Sequence, residues 1–477
     1  MPSIFILLPL IAIMALNLPY KHVMKRFAFF VAVAFFLAQI ALAVFHRPEF
    51  WKSMLERSDA LFSVTFWMDH LSFIALLSIG IVCLMSLLVA RCVIKDDNQL
   101  FNFINLLIIA SIGMCGVVMT EDIFSLYVFL EIIAVSAFIL IALQQDKLAL
   151  EGAFKYILLS AIATIMMLSS IALLFTISGG TSFAAIKAAL NDSYSSRLAT
   201  LAIGVFICGL FIKGGLVPFH GWLPDAYTTA PAPVSIFLAG IATKISGIYT
   251  LIRVTTALFV MDDRVGNMIM LVGTVSILTG AFAALGQNDF KRMLAFSSIS
   301  QVGYIVLGFG CGTGLGIMGA VFHFFNHAIF KSLLFVNSAS VEKATGTTKM
   351  DRMGGLSYKM PVTGATSVIG ILSTAGIPPL AGFWSKLIII VALWKAGHFA
   401  YASIAVFASL ITLAYLLGMQ RKVFFGKFNE SLGDVKESCY GIIAASVILS
   451  AITVGVGIFF PAFFNNFALS AKDILLK

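Results

Sequence analysis

The sequence predicts an all-α, polytopic membrane protein, and three observations carry that expectation. Of the 477 residues, 60% are hydrophobic and 11% are charged, whereas an ordinary soluble chain is about a quarter charged. Mean hydropathy is +1.02. Apolar runs long enough to cross a bilayer, about 20 residues each, recur from one end to the other. The net charge of +9 lies mainly in short connections between those runs, so it bears on membrane topology and gives no reason to expect nucleic acid.

By the length rule about 14 transmembrane helices are expected. They fall near 2–18, 25–45, 66–90, 101–119, 122–143, 152–177, 198–222, 232–257, 266–286, 290–310, 314–340, 361–394, 399–425 and 440–466. The longest polar connections are 46–62, 179–197, 341–360 and 426–439, and none resembles a soluble domain. The first run is followed, not preceded, by Lys21, Lys25 and Arg26. That order fits a first span with an outward N-terminus and not a cleaved signal. The six cysteines (Cys83, Cys92, Cys115, Cys208, Cys311, Cys439) are scattered, a spacing suited to packing and not to a metal or iron–sulfur site.

Basic residues favour the connections that follow odd-numbered spans, among them Lys21, Lys25, Arg26, Arg91, Lys95, Lys147, Lys155, Lys291 and Arg292. The other side holds fewer, including Arg47, Lys52, Arg57, Arg253 and Lys477. The richer side is expected to be cytoplasmic, which places both termini on the non-cytoplasmic side of a cytoplasmic (inner) membrane.

Two of the spans are expected to be broken. Span 7 carries Lys213, then Gly214, Gly215 and Pro218; span 12 carries Gly376, Pro378 and Pro379, then Lys386. Glycine raises the entropic cost of helix, and proline removes a donor and clashes with the preceding turn. Gly215–Trp222 and Gly376–Phe383 share the pattern G-x-x-P-apolar-x-G-aromatic, which reads as an internal duplication. Irregular backbone at membrane depth is tolerated only inside protein or beside a wet cavity, and paired broken helices mark the transport site of repeat-built transporters.

Charged groups inside spans are expensive and therefore point to function. Glu131 sits mid-span, and Lys213 and Lys244 lie late in span 7 and near the middle of span 8. Burial disfavours an ammonium and a nearby carboxylate favours it. A Glu–Lys pair whose separation changes thus takes up and releases a proton; a static ion pair of Glu131 with Lys244 is the plainer alternative. His323, His327 and Lys331 recur at i, i+4 and i+8, one stripe of a helix, and imidazoles titrate near neutral pH. This suits a proton relay better than a metal, because no third ligand is nearby. Lys386 follows the second break as a terminal exchange site or a snorkelling side chain. His220 and Asp225 flank the first break, either as its entrance or as caps of a half-helix. Gly314–Gly319 matches G-x-G-x-x-G but opens an apolar helix with no preceding strand, so close helix packing explains it better than a dinucleotide. No cofactor and no metal site are expected on this chain.

Lys213–Ala226, Ala230-Pro-Ala-Pro-Val234, Lys244, Asp289–Gln301 and Asn326–Lys331 together resemble the antiporter-like membrane subunits. That family is shared by respiratory complex I, multisubunit sodium/proton antiporters and energy-converting membrane-bound hydrogenases. The resemblance covers roughly residues 65–425. It implies two inverted five-helix repeats, with broken helices 7 and 12 and a polar chain along the membrane plane. The corresponding division is an N-terminal three-helix segment (1–100), repeats at 101–258 and 266–425, and a C-terminal helix (440–477). It also implies that Glu131, Lys213, Lys244, His327, Lys331 and Lys386 occupy the family's relay positions. One complex I branch has glutamate in place of Lys386, and a long lateral helix after span 14 is not expected. Glu151–Tyr156 looks more like the hydrogenase or smallest complex I type.

The expected function is a proton-translocating, or sodium/proton-antiporting, subunit working with other membrane subunits and performing no redox chemistry itself. The alternatives are a subunit of a cation/proton antiporter without redox partners, a stand-alone antiporter, or an assembly scaffold.

Overall fold

A computed structural model describes residues 2–17, 21–45, 59–61, 64–193, 197–259 and 263–476. Arg47, Lys52, Arg57 and Lys477, counted in the charge asymmetry, lie outside the described residues. The chain is a helical bundle with one small hairpin, Asp59–Leu61 against Val64–Phe66, in which Ala60 faces Thr65. The helices in order are α1 Ile4–Leu16, α2 Lys21–Phe45, α3 His70–Val93, α4 Asp97–Met119, α5 Ile123–Ile141 and α6 Lys147–Ser178. Next come α7 Phe183–Ser193, α8 Arg197–Lys213, α9 Trp222–Thr229 and α10 Ala232–Ala257. The rest are α11 Asp263–Leu285, α12 Phe290–Gly310, α13 Gly314–Thr345, α14 Pro361–Ala375, α15 Ala381–Lys395, α16 Phe399–Val423, α17 Tyr440–Ile458 and α18 Phe460–Leu476.

Eleven of these are long and apolar enough to cross a membrane. The other three expected spans fall short for physical reasons. α1 has 13 residues, and the two spans read as broken are each divided: α8 with α9, and α14 with α15. The last expected span also divides, α17 ending at Ile458 before α18 begins. The polar connection 179–197 reads as a loop in the sequence, yet it contains α7.

Both breaks use the same hydrogen bonds. At the first, Gly215 N–H donates to Ile212 and Leu216 N–H to Phe211; at the second, Gly376 N–H donates to Ser373 and Ile377 N–H to Leu372. Gly215 (φ +65°) and Gly376 (φ +86°) are left-handed, the conformation with which glycine closes a helix C-terminus. The Val217–Pro218 and Pro378–Pro379 peptide bonds are both cis. Within α10, residues Leu238–Ala242 and Lys244–Tyr249 wind as π-helix. Gly247 of that segment packs backbone to backbone on Gly214, so a Cβ there would overlap the first break.

A second correspondence joins more distant segments. Asp122 caps α5 and accepts from Thr181 Oγ1, while Ile123 N–H donates to Thr181 O and Phe183 N–H to Glu121 O. Asp289 caps α12 and accepts from Thr348 Oγ1, while Phe290 N–H donates to Thr348 O and Met350 N–H to Asn288 O. α6 and α13, each of which lies between the two limbs of its clasp, both have 32 residues and end on left-handed glycines, Gly179 and Gly346. The two clasps close opposite ends of the bundle. The Asp122 clasp lies beside Trp67, whose N–H donates to Met119 O at the start of α3. The Asp289 clasp lies at the end where Lys343 of α13 reaches the carbonyl of Cys92 at the finish of α3.

α10 and α13 are buried along their lengths, whereas α5, α6, α11, α16 and α17 turn large apolar side chains outward, such as Phe154, Ile165, Leu271 and Leu410. That outward belt suits lipid or neighbouring subunits. Gly316 and Gly319, from the dinucleotide-like pattern, pack against Gly308 O and Ile389. One sequence reading needs correction: Cys92 and Cys439, read as packing residues, form a disulfide with Cα atoms 6.4 Å apart. Arg253 and Lys291, counted with the connections and the helix ends beside them, are buried among other helix ends. Helix ends packed side by side create these pairings, which sequence separation conceals.

Candidate functional site

In the first half, the Glu131 carboxylate on α5 is held by neighbours on two helices. Its Oε1 accepts from Thr164 Oγ1 of α6 at 2.6 Å and from Lys213 Nζ of α8 at 3.0 Å. Lys213 also approaches Ser160 Oγ at 3.5 Å. The lysine side chain is 5% exposed and the glutamate 29%, so the pair sits at the flank of the bundle with its cation inward. An unpaired ammonium there would be costly, and the carboxylate compensates it. A cavity of about 10 Å³ adjoins Lys213, lined by Tyr156, Ser160, Trp222 and Ser246 among others. That is close to the room a single water needs.

Lys244 does not pair with Glu131. It is buried in the π-helical part of α10 and donates to the Ala239 carbonyl. Among the described residues no carboxylate bridges it.

In the second half, α13 carries His323, His327 and Lys331 down one buried face. The two imidazole rings lie 6.3 Å apart. His323 Nδ1 shares a hydrogen with Ser385 Oγ at 2.9 Å. Among the described residues, His323 Nε2 and both His327 ring nitrogens have no hydrogen-bond partner, nor does Ser300 Oγ on α12. Lys331 Nζ donates to Leu294 O (3.1 Å) and to Ser297 Oγ (2.8 Å), which also accepts from Tyr415 OH at 2.7 Å. Lys386 on α15 folds back over the break: its Nζ donates to Thr374 O at 2.8 Å and lies 4.5 Å from the Tyr304 ring centre. His327 is within electrostatic reach of Lys244, Lys331, His323 and Lys386, so its position joins α10 to the second break.

The residues flanking the first break are placed differently from one another. His220 is half-buried, and its Nδ1 has no partner among the described residues. Asp225 is bridged by Lys155 of α6 and Arg292 of α12. Sequence reasoning missed Thr164, Ser160, Ser297, Tyr304 and Tyr415, because uncharged hydroxyls in apolar spans carry no signal of their own. It also missed Asp69 and Arg253. Arg253 clamps Asp69, the N-cap of α3, through two bonds of 2.6 and 2.8 Å and donates to Tyr249 OH, all three side chains being buried.

Comparison with known proteins bears on the family and the fold of the chain. The chain is 29% identical over 475 residues to one of the Na(+)/H(+) antiporter subunits of Alkalihalophilus pseudofirmus, covering 99% of this chain and 96% of that one. It is 31% identical over 386 residues to NADH-quinone oxidoreductase subunit N of Desulforudis audaxviator, covering 79% and 77%. A chain in the solved Mrp complex from Dietzia sp. DQ12-45-1b shares its fold, with TM-score 0.91 and 24% identity over 99% of this chain and 97% of that one. Residues 120–412 match the family model described as NADH:quinone oxidoreductase/Mrp antiporter, TM. This multi-pass membrane chain therefore belongs to the NADH:quinone oxidoreductase/Mrp antiporter transmembrane family.

Proposed function

We propose that this chain is a proton-translocating, antiporter-like subunit of a multisubunit membrane complex, with protons moving along a buried Glu/Lys/His chain. The observation that carries the reading is the succession of titratable groups from the part-buried Glu131 and its buried partner Lys213, through buried Lys244, His327, His323 and Lys331, to buried Lys386. The cost of burying this many cations near one another is not one a purely structural core would carry. In native proteins buried polar atoms find protein or water partners, so the unpartnered imidazoles call for a hydrated relay.

In this mechanism, lengthening the Glu131–Lys213 contact removes the carboxylate that favours the ammonium, and Lys213 releases its proton inward. Lys244 and the α13 face accept and pass it, and Lys386 exchanges it beside the second break. His220 and Asp225 belong to the mouth of the first half. Gly214, Gly215 and Pro218, with Gly376, Pro378 and Pro379, hold the irregular backbone around which the two lysines are placed. The matching hydrogen bonds at the two breaks, and the matching clasps at opposite bundle ends, support fourteen spans arranged as inverted halves, 101–258 and 266–425. The partly exposed flank of Glu131 suits a neighbouring membrane subunit. Both termini belong to the non-cytoplasmic side on the charge bias.

The relatives include antiporter and quinone-oxidoreductase components, and the same buried chain serves either parent complex. The test is proton flux into vesicles carrying the assembled complex. Lys244→Ala abolishes flux while assembly persists; flux equal to that of the parent protein removes the proposed route. Flux by the purified chain alone would instead favour a stand-alone antiporter.

A further inference from the structure

We infer that Asp225 closes the mouth of the Lys213 cavity as an ionic latch between the two halves of the chain, and that the latch opens when Lys155 transfers to Glu151. The inference rests on the reading of Lys213 as a proton site.

Three elements meet at Asp225 of α9. Its Oδ2 accepts from Lys155 Nζ of α6 at 2.7 Å, and its Oδ1 accepts from Arg292 Nη1 of α12 at 2.5 Å. Lys155 Nζ is also 2.7 Å from Glu151 Oε1, one helical turn earlier. Arg292 lies 5.6 Å from the Phe296 ring. Each member therefore has a second partner, so one contact breaks without leaving a charge alone. The side chains of Lys155, Arg292 and Asp225 are 42%, 39% and 22% exposed, and ion pairs in such surroundings contribute little to stability. A contact that is cheap to break but well aligned is suited to gating.

Position supports the same role. Tyr156, next to Lys155 on α6, and Trp222, three residues before Asp225 on α9, stand edge to face with ring centres 5.0 Å apart. Trp222 is fixed by its indole N–H to Ile212 O at 3.0 Å. Both rings line the cavity that holds Lys213 and Ser160. From the end of the bundle where α6 and α12 begin, the order inward is the charged cluster, then the ring pair, then Ser160 and Lys213. α12 begins at the Asp289 clasp, so displacement in the second half reaches the mouth of the first through Arg292.

The test is thiol accessibility in vesicles of either orientation carrying the assembled complex. The reporter is Ser160→Cys, with Ala134→Cys as a second position on the same cavity, in a background with Cys208→Ala. The probe is a charged, membrane-impermeant maleimide. Asp225→Asn and Lys155→Ala are each expected to raise the labelling rate about fivefold from the α6/α12 end. Glu151→Gln, which leaves Lys155 no second carboxylate, is expected not to raise it. Rates for Asp225→Asn and Lys155→Ala within twofold of the parent at both reporters, in vesicles of both orientations, would overturn the latch. Labelling does not require transport, so faster labelling of a chain that moves no protons would keep the latch and reject the proton route.

Discussion

Lys386 Nζ donates to the carbonyl oxygen of Thr374 across the second break, at 2.8 Å. Thr374 stands two residues before Gly376, as Lys213 stands two before Gly215. The two halves thus bring an ammonium to corresponding places from opposite sides of the break: the first from the helix that enters it, the second from the helix that leaves it. The partner differs accordingly, being a carboxylate in one half and a carbonyl with an aromatic face in the other.

That difference makes Tyr304 a tuning residue. A desolvated cation–π contact stabilises the charged form by up to about 2 kcal/mol, or roughly 30-fold in the protonation equilibrium. Tyr304→Leu should slow proton flux by about 5- to 30-fold on that scale. Tyr304→Phe keeps the ring and loses only the hydroxyl bonds to Ala405 O and Ser409, so its flux should stay within about threefold. Vesicle flux normalised to assembled complex separates the two.

His327 is expected to carry protons and not merely to fill space. His327→Leu should lower flux by about 100-fold or more, the usual contribution of a positioned proton-transfer group, with assembly retained. A variant that assembles and keeps half the parent flux would take His327 off the route.

Asp69 and Arg253 predict a stability effect separate from transport. Removing one partner of a buried, bidentate pair leaves an uncompensated charge and costs about 3–5 kcal/mol. Asp69→Ala should therefore lower the thermal unfolding midpoint and the yield of complex. Arg253→Lys, which cannot reproduce the planar fork, should fall between Asp69→Ala and the parent. Thermal unfolding of the purified complex measures both.

Gly247 tests the contact between the π-helical segment and the first break. Gly247→Ala forces a Cβ into Gly214, and overpacking of this kind costs about 1–3 kcal/mol. Assembled protein and flux should both decline. Gly204→Ala, whose added methyl meets no described atom within 4 Å beyond its own helix backbone and chain neighbours, should change neither.

Much of this was legible in the sequence because membrane burial makes each charge conspicuous. Glu131, Lys213, Lys244, Lys331 and Lys386 interrupt long apolar runs, and the two glycine–proline patterns announce the breaks. What the sequence concealed depends on contacts between remote segments. Asp69 and Arg253 are separated by 184 residues, and Cys92 and Cys439 by 347. The Ala239 carbonyl that Lys244 meets was not legible, because a backbone carbonyl within its own distorted helix has no sequence signature. Hydroxyls such as Thr164 and Ser297 look like ordinary packing residues until a charged side chain is placed against them. The Asp122 and Asp289 clasps share an aspartate cap and a threonine, too few letters to reveal a correspondence that the hydrogen bonds make plain.

The most direct measurement is proton flux by the assembled complex bearing Glu131→Gln together with Lys213→Ala. With both members of the pair gone, no proton-binding couple remains at the head of the chain, and flux should fall to the level of protein-free vesicles while the complex keeps its full complement of chains. Flux at the parent rate from such a complex would show that protons travel elsewhere.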